Sequence, residues 1–90
     1  MHNFKLFIAG VGLPNSKRVI RDVQDMLVIY LEFNHHLEII DVIDHPEVTQ
    51  VCGVFATPTL VYGIKNQKRV FGSLRDHKKV LKSLGVLLDK

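Results

Sequence analysis

This 90-residue sequence contains only one cysteine and no long apolar run. A single cysteine cannot form an internal disulfide, so the sequence is typical of a protein from a reducing cytoplasm. No segment approaches the ~18 consecutive apolar residues of a membrane-spanning helix. The first residues place no basic segment ahead of an apolar core, so we expect no secretory signal peptide.

Charge is unevenly distributed along the chain, although the net charge is only +3. The segment 22–47 contains seven acidic residues and no lysine or arginine, whereas 65–82 contains seven basic residues and one acid. This asymmetry indicates an oriented electrostatic partner or self-association of opposite faces; the alternative is ordinary solvated charge. The overall composition, 47% hydrophobic and 23% charged, is that of a globular fold, and the length predicts one domain over residues 1–90.

The first half of the chain predicts a strand, a helix and a second strand. Strand-forming residues fill 4–9, and a turn with glycine and proline follows. Asn15 or Ser16 is expected to cap a helix that runs to about Phe33, because apolar residues recur there at helical spacing. The segment 37–42 predicts the second strand, and the intervening helix favours parallel pairing.

The next segments predict a short helix and a hairpin. Asp44 is expected to cap a helix whose first turn contains Pro46, and Gly53 is expected to end it. The strand-like segments 59–64 and 69–71 are separated by four polar residues, which predicts antiparallel pairing.

The last helix is expected to open with a capping box at Ser73. Its apolar stripe is predicted to consist of Val80, Leu81, Leu84, Leu87 and Leu88. The resulting order β-α-β-α-β-β-α predicts an α/β fold with one mixed four-stranded sheet, which is similar to the thioredoxin fold.

The loop that follows the first strand bears on two functions, redox catalysis and nucleotide binding. A dithiol enzyme needs two cysteines in that loop, and residues 12–17 contain none. Cys52 is expected to be a small packing residue, although a one-cysteine reaction stays open. Gly10 and Gly12 resemble part of a dinucleotide fingerprint, but Asn15 occupies the third glycine position. We therefore expect no cofactor.

Neither the histidines nor the basic last helix predicts a further site. His35 and His36 are adjacent on a loop and lack a well-spaced third ligand, so we expect no metal. The basic helix lacks aromatic stacking residues and any DNA-reading motif, so we expect no nucleic acid partner.

Pro58 stands at the entry to the predicted third strand. In thioredoxin-like folds a proline at this position is commonly cis and lies beside the redox loop. The alternative is an ordinary proline at the start of a strand.

Several short motifs, taken in order, resemble the KaiB family of bacterial circadian clock proteins. The resemblance covers roughly residues 6–88, and the sensor domain of the clock kinase SasA is similar as well. The motifs are Phe7-Ile8-Ala9-Gly10, Pro14-Asn15-Ser16, Ile40-Asp41-Val42, Ala56-Thr57-Pro58-Thr59-Leu60, Gly72-Ser73-Leu74 and Lys79-Val80-Leu81.

The resemblance implies a non-enzymatic cytoplasmic regulator that binds a KaiC-type ATPase ring, with KaiA or a SasA-like kinase affected indirectly. It also implies fold switching: a homo-oligomeric free state, dimer or tetramer, with a rearranged C-terminal half would exchange with the thioredoxin-like form that binds KaiC. Two other functions stay open, namely a partner of a histidine kinase and a thiol-dependent enzyme that uses Cys52.

The resemblance assigns possible partner contacts to Arg18, Lys68 and Arg69. Tyr62 replaces a basic residue that usually follows the third strand in the family. Gly85 matches a glycine of the family's switch region, and Leu87 replaces the acid usually found two positions later. We expect Leu87 to complete the last helix and to favour the thioredoxin-like form as the resting state. Gly85→Ala is expected to stabilise that helix by roughly 0.5–1 kcal/mol.

Overall fold

The structure is a computed structural model that describes residues 1–54 and 56–87. The predicted order of elements is confirmed. The elements are β1 His2–Ile8, α1 Pro14–Leu31, β2 His35–Asp41, α2 Glu47–Val51, β3 Thr59–Tyr62, β4 Lys68–Phe71 and α3 His77–Ser83. Within the described part of the chain, no helix combines the length and hydropathy needed to cross a bilayer.

The four strands form one mixed sheet in the order β2-β1-β3-β4. β1 and β2 are parallel, with Phe4 opposite Leu37, as the strand–helix–strand order predicted. β3 is antiparallel to both β1 and β4, which confirms the predicted hairpin. The mixed four-stranded sheet of the predicted α/β, thioredoxin-like fold is therefore present.

Apolar side chains cover both faces of this sheet, because successive residues of a strand point to opposite sides. On one face α1 and α3 pack through Met26, Leu27 and Leu81, all fully buried. On the other face a smaller cluster formed by Phe7, Val54 and Val61 packs against α2. Full burial of such side chains contributes about 1.5–3 kcal/mol each, so the larger cluster supplies most of the stabilisation.

The starts of all three helices differ from the prediction. Leu13 occupies the N-cap of α1 without a side-chain hydrogen bond. Pro14 fits the first helical position because it has no N–H that would need an acceptor. Ser16 is instead buried in the first turn, where its hydroxyl donates to the Ala9 carbonyl at 3.2 Å. Pro46 precedes α2, so Asp44 does not cap it.

The N-terminus of α3 is capped by Asp76 rather than by Ser73. The Asp76 carboxylate accepts a hydrogen bond from the Lys79 backbone N–H at 3.2 Å. The helix therefore begins one turn later than the capping-box pattern predicted.

The C-terminus of α3 also corrects the prediction. The helix ends at Ser83, and Gly85 adopts a φ of +76°. The Val86 N–H donates to the Leu81 carbonyl at 2.9 Å and the Gly85 N–H to Lys82 at 3.0 Å, which is a Schellman motif. Gly85 is thus a helix-ending residue, so Gly85→Ala is expected to destabilise this fold rather than stabilise a helix.

Leu87 lies beyond α3 and not within it. Its side chain is half-buried and packs against the larger core cluster, so it stabilises this arrangement without being helical. Leu88, the last member of the predicted stripe, lies outside the described residues.

Candidate partner-binding surface

Arg18 lies on the exposed side of the first turns of α1. Its Nη2 atom donates to Oδ1 of Asn15 at 2.5 Å. The two side chains are three positions apart and therefore lie on the same face of the helix. The contact directs the guanidinium across the start of α1 while the rest of the group stays accessible.

A cleft of about 330 Å³ opens beside Arg18. It is lined by Arg18, Asp22 and neighbouring residues of α1, by Pro58, and by the segment 72–75 that links β4 to α3. Arg75 also lines this cleft, so two arginines, Arg18 and Arg75, and the acid Asp22 border it. Arg75 was not among the residues predicted from the sequence; its place directly after the Gly72-Ser73-Leu74 motif was the available signal.

A second cavity of about 610 Å³ adjoins this cleft and shares Pro58 with it. Leu13 and Pro14 line it from the start of α1, and Thr57 lines it from the other side. The Thr57–Pro58 peptide is cis, which confirms the expectation for this position. Pro58 lies beside the loop where redox enzymes of this fold carry their thiols, and residues 12–17 contain no cysteine.

Lys68 and Arg69 point to opposite faces of the sheet because they are adjacent in β4. Lys68 lies over the end of α3, where its Nζ atom is 3.0 Å from the position that a Cβ on Gly85 would occupy. Arg69 lies on the α2 side, and its Nη1 atom donates to the Gly53 carbonyl oxygen at 2.6 Å. Both side chains therefore contact the residues that end a helix.

The three predicted contact residues are thus distributed over the surface. Arg18 shares its cleft with Arg75, while Lys68 and Arg69 lie on different sides of β4. A partner that touched all three would have to span the start of α1 and the edge strand β4.

Tyr62 stands where the resemblance implies a basic residue, and it turns towards the face of the sheet that α1 and α3 cover. Its hydroxyl lies 2.6 Å from Nδ1 of His2, and its ring lies 5.0 Å from that of Phe4. The side chain packs within the protein, so it does not restore the missing basic contact.

Asp41 is a second residue whose importance the sequence did not reveal. Its carboxylate accepts hydrogen bonds from the backbone N–H groups of Gly10 at 3.0 Å, Val11 at 2.8 Å and Ile43 at 3.0 Å. These bonds, with a smaller effect of nearby His45, hold the pKa of Asp41 below its ordinary value. Asp41 thereby joins the end of β2 to the loop that leads into α1. The signal in the sequence for this role was an acid at the end of a predicted strand, together with a glycine turn after the neighbouring strand.

Cys52 is half-buried at the end of α2 and packs against the smaller apolar cluster, as expected for a packing residue. Gly53 follows it with a φ of +66°, which confirms the predicted end of this helix. In residues 1–54 and 56–87, His, Cys, Asp and Glu side chains do not assemble in groups of three that could hold a metal ion.

Comparison with known proteins assigns this chain to one family. The KaiB domain family model matches residues 5–86. A circadian clock oscillator protein KaiB from Prochlorococcus marinus is 33% identical over 87 residues, which covers 96% of this chain and 72% of the relative. The same-named protein from Synechococcus elongatus is 33% identical over 84 residues, covering 92% and 81% respectively.

Two solved structures define the fold. The N-terminal domain of Synechococcus elongatus SasA aligns with a TM-score of 0.76 and 21% identity, covering 99% of this chain and 88% of that one. Mitochondrial thioredoxin 3 from Saccharomyces cerevisiae aligns with a TM-score of 0.69 and 20% identity, covering 96% and 78%. The molecule is therefore a thioredoxin-like domain whose loop at residues 12–17 lacks the redox cysteines. Within that class, the chain belongs to the KaiB family.

Proposed function

We propose that this protein is a non-enzymatic regulator that binds a KaiC-type ATPase ring and modulates its phosphorylation cycle, in a circadian clock or in stress signalling. The observation that carries the proposal is the KaiB family match over residues 5–86. It is supported by the thioredoxin-like arrangement of the described residues, since that is the form which the family resemblance associates with KaiC binding.

Arg18 is proposed as the principal contact, because it is exposed and shares an open cleft with Arg75. Acidic groups on the ring would enter between the two guanidinium groups. Lys68 and Arg69 would contact the same partner at the edge of the sheet. Because exposed interfacial charges mainly control approach and orientation, these residues should affect the association rate more than the dissociation rate.

A regulatory role is favoured over thiol chemistry. Cys52 packs against an apolar cluster, and the loop at residues 12–17 offers no second thiol. With one cysteine in the sequence and hence no internal disulfide, we propose that the protein acts in the cytoplasm.

We further propose that the free protein rests mainly in the thioredoxin-like, ring-binding form and exchanges with a homo-oligomer, a dimer or tetramer. Pro58, Gly85 and Leu87 are the proposed conformational positions. KaiA or a SasA-like kinase would be affected indirectly, by capture on the complex or by displacement from the ring.

The proposal is tested by the kinetics of binding to an immobilised KaiC-type hexamer with nucleotide at two salt concentrations. Arg18→Glu should slow association severalfold and abolish much of its salt dependence. Arg21→Glu is the matched control, because Arg21 is an exposed arginine one turn along α1 and is not among the residues that line the cleft. Equal effects of the two variants, or no binding by the unmodified protein, would contradict the proposal.

A further inference from the structure

β4 is an outer strand of the described sheet, and its outer side is accessible. The strand order ends with β4, which pairs with β3 alone among the described strands. Lys68, Arg69 and Phe71 are exposed, and Phe71 retains 70% of its accessible surface. A large apolar side chain on an open edge is a feature that natural sheets generally avoid or use for binding.

The pattern of hydrogen bonds in the sheet shows which β4 backbone groups point outward. The Gly63 N–H donates to Asn3 of β1 at 2.9 Å, and the Gly72 N–H donates to the Pro58 carbonyl at 3.2 Å. Odd-numbered residues of β3 therefore bond to β1 and even-numbered ones to β4, because hydrogen-bonded pairs alternate along antiparallel strands.

The register then assigns the inward and outward groups of β4. Leu60 is opposite Val70 and Tyr62 is opposite Lys68, so Val70 and Lys68 use their backbone groups towards β3. The N–H and C=O groups of Arg69 and Phe71 point away from the sheet. They are the groups to which an additional strand would bond.

A groove of about 340 Å³ runs beside this edge, between β4 and α3. Val70 and Phe71 line it from β4, and Lys79, Val80 and Ser83 line it from α3. An extended segment bonded to β4 would place alternate side chains in this groove, since side chains of a strand alternate between faces.

The charge around the groove identifies the kind of segment that fits. Lys79 lines the groove, and Lys68 lies on the same face of the sheet. Arg69 projects from the opposite face of β4, so an added strand would have basic residues on both of its faces. Asp76 also lines the groove, but its carboxylate is engaged by the backbone at the start of α3. A second copy of this strand would bring the same basic residues together, so pairing between copies is disfavoured. An acidic segment has the complementary charge.

We propose that the outer edge of β4 binds an acidic, extended segment of a partner protein, which adds a fifth strand to the sheet next to α3. The backbone groups of Arg69 and Phe71 supply the main-chain bonds, and the groove supplies apolar contacts. The basic residues favour a segment with acidic side chains. The proposal goes beyond the ring-binding function and does not require that the partner be the ring.

The test uses the full chain and a seven-residue peptide in which valine and threonine alternate with aspartate and glutamate. NMR titration should show saturable shift changes at residues 68–71 and slower amide exchange at Arg69 and Phe71. The same peptide with lysine in place of its acids should not bind, and one with a central proline should bind far more weakly. Lys79→Glu should weaken binding about two- to fivefold, as for the loss of one exposed ion pair.

Phe71→Pro is the decisive variant, because it removes an outward-pointing N–H and leaves the bonds to β3 in place. It should abolish binding, whereas the matched control Phe71→Ala, which retains the N–H, should bind with reduced affinity. If Phe71→Pro does not fold, the exchange rates of the Arg69 and Phe71 amides in the unmodified protein decide the question.

Three results would overturn the proposal: failure of the acidic peptide to bind, equal binding of the acidic and lysine peptides, or unchanged exchange at Arg69 and Phe71 when the peptide is bound. No ATPase ring is present in this experiment. Its failure therefore leaves the proposed function intact, and failure of ring binding leaves this site intact.

Discussion

The ammonium group of Lys68 lies over Gly85, so that a Cβ on this glycine would be 3.0 Å from Nζ. A residue proposed for partner contact therefore touches a residue proposed for conformational control. Because Gly85 ends α3 and Lys68 begins β4, the contact joins the last helix to the edge strand. A rearrangement of the chain near Gly85 would also change the position of the Lys68 charge.

Replacement of Gly85 by alanine should lower the free energy of unfolding by about 1 kcal/mol, because alanine is disfavoured at a φ of +76°. Lys68 is flexible and can move away from the added methyl group, so the backbone conformation dominates the cost. Gly85→Asn is the matched control and should cost less, since asparagine tolerates this region. Urea unfolding provides the measurement, and a gain in stability for Gly85→Ala would contradict the assigned end of α3.

Replacement of Leu87 by aspartate should shift the protein towards its oligomeric form. Leu87 is half-buried against the core, and a carboxylate there would have to be desolvated in the thioredoxin-like arrangement. We expect light scattering to detect a tetramer and NMR to show a second set of signals. Leu87→Ala should lower stability by about 1–2 kcal/mol without a change in mass. An unchanged mass and spectrum for Leu87→Asp, or unfolding without a larger species, would refute this role.

The bonds to Asp41 predict a specific response to acid. Three backbone N–H groups lower the pKa of Asp41 from its ordinary value of 3.8, so its contribution to stability is present above that value. The contribution is lost as the pH falls through the lowered pKa. Asp41→Asn should therefore destabilise the protein most near neutral pH, and its difference from the unmodified protein should shrink below about pH 4. Urea unfolding at pH 7 and pH 3 measures this, and a difference that does not change with pH would contradict the account.

Glu32 ends α1 in a conformation that favours glycine, with φ +53° and ψ −118°. Glu32→Gly should raise the free energy of unfolding by about 1 kcal/mol, because relief of backbone strain exceeds the entropy gained by the unfolded chain. Gln24→Gly is the control, at an exposed position inside the same helix, and should lower the free energy of unfolding by about as much. Thermal unfolding of the two variants should thus give shifts of opposite sign.

The sequence was sufficient to predict which elements form and how the strands pair. Apolar spacing identified α1, whose Val23 and Leu27 are fully buried, and the helix between β1 and β2 indicated their parallel pairing. Helix ends were less predictable, because they depend on competition between neighbouring polar residues. The sequence predicted Ser73 as the cap of α3, and only the folded backbone shows that the Asp76 carboxylate is the group that reaches a free N–H.

Single residues of the candidate surface could be predicted from the sequence, but their arrangement in space could not. Family resemblance indicated Arg18, but the cleft it shares with Arg75 depends on the packing of α1 beside the loop after β4. Such a juxtaposition joins positions 57 residues apart and leaves no periodic pattern in the sequence. The bonds from Gly10 and Val11 to Asp41 are long-range in the same sense.

Binding to the ring can be measured by size-exclusion chromatography with light scattering, on the protein alone and then with a KaiC-type hexamer and nucleotide. We expect the protein to co-elute with the ring, and Arg18→Glu to reduce the bound fraction more than Arg21→Glu does. A stable tetramer that remains separate from the ring under all nucleotide conditions would contradict the proposed function.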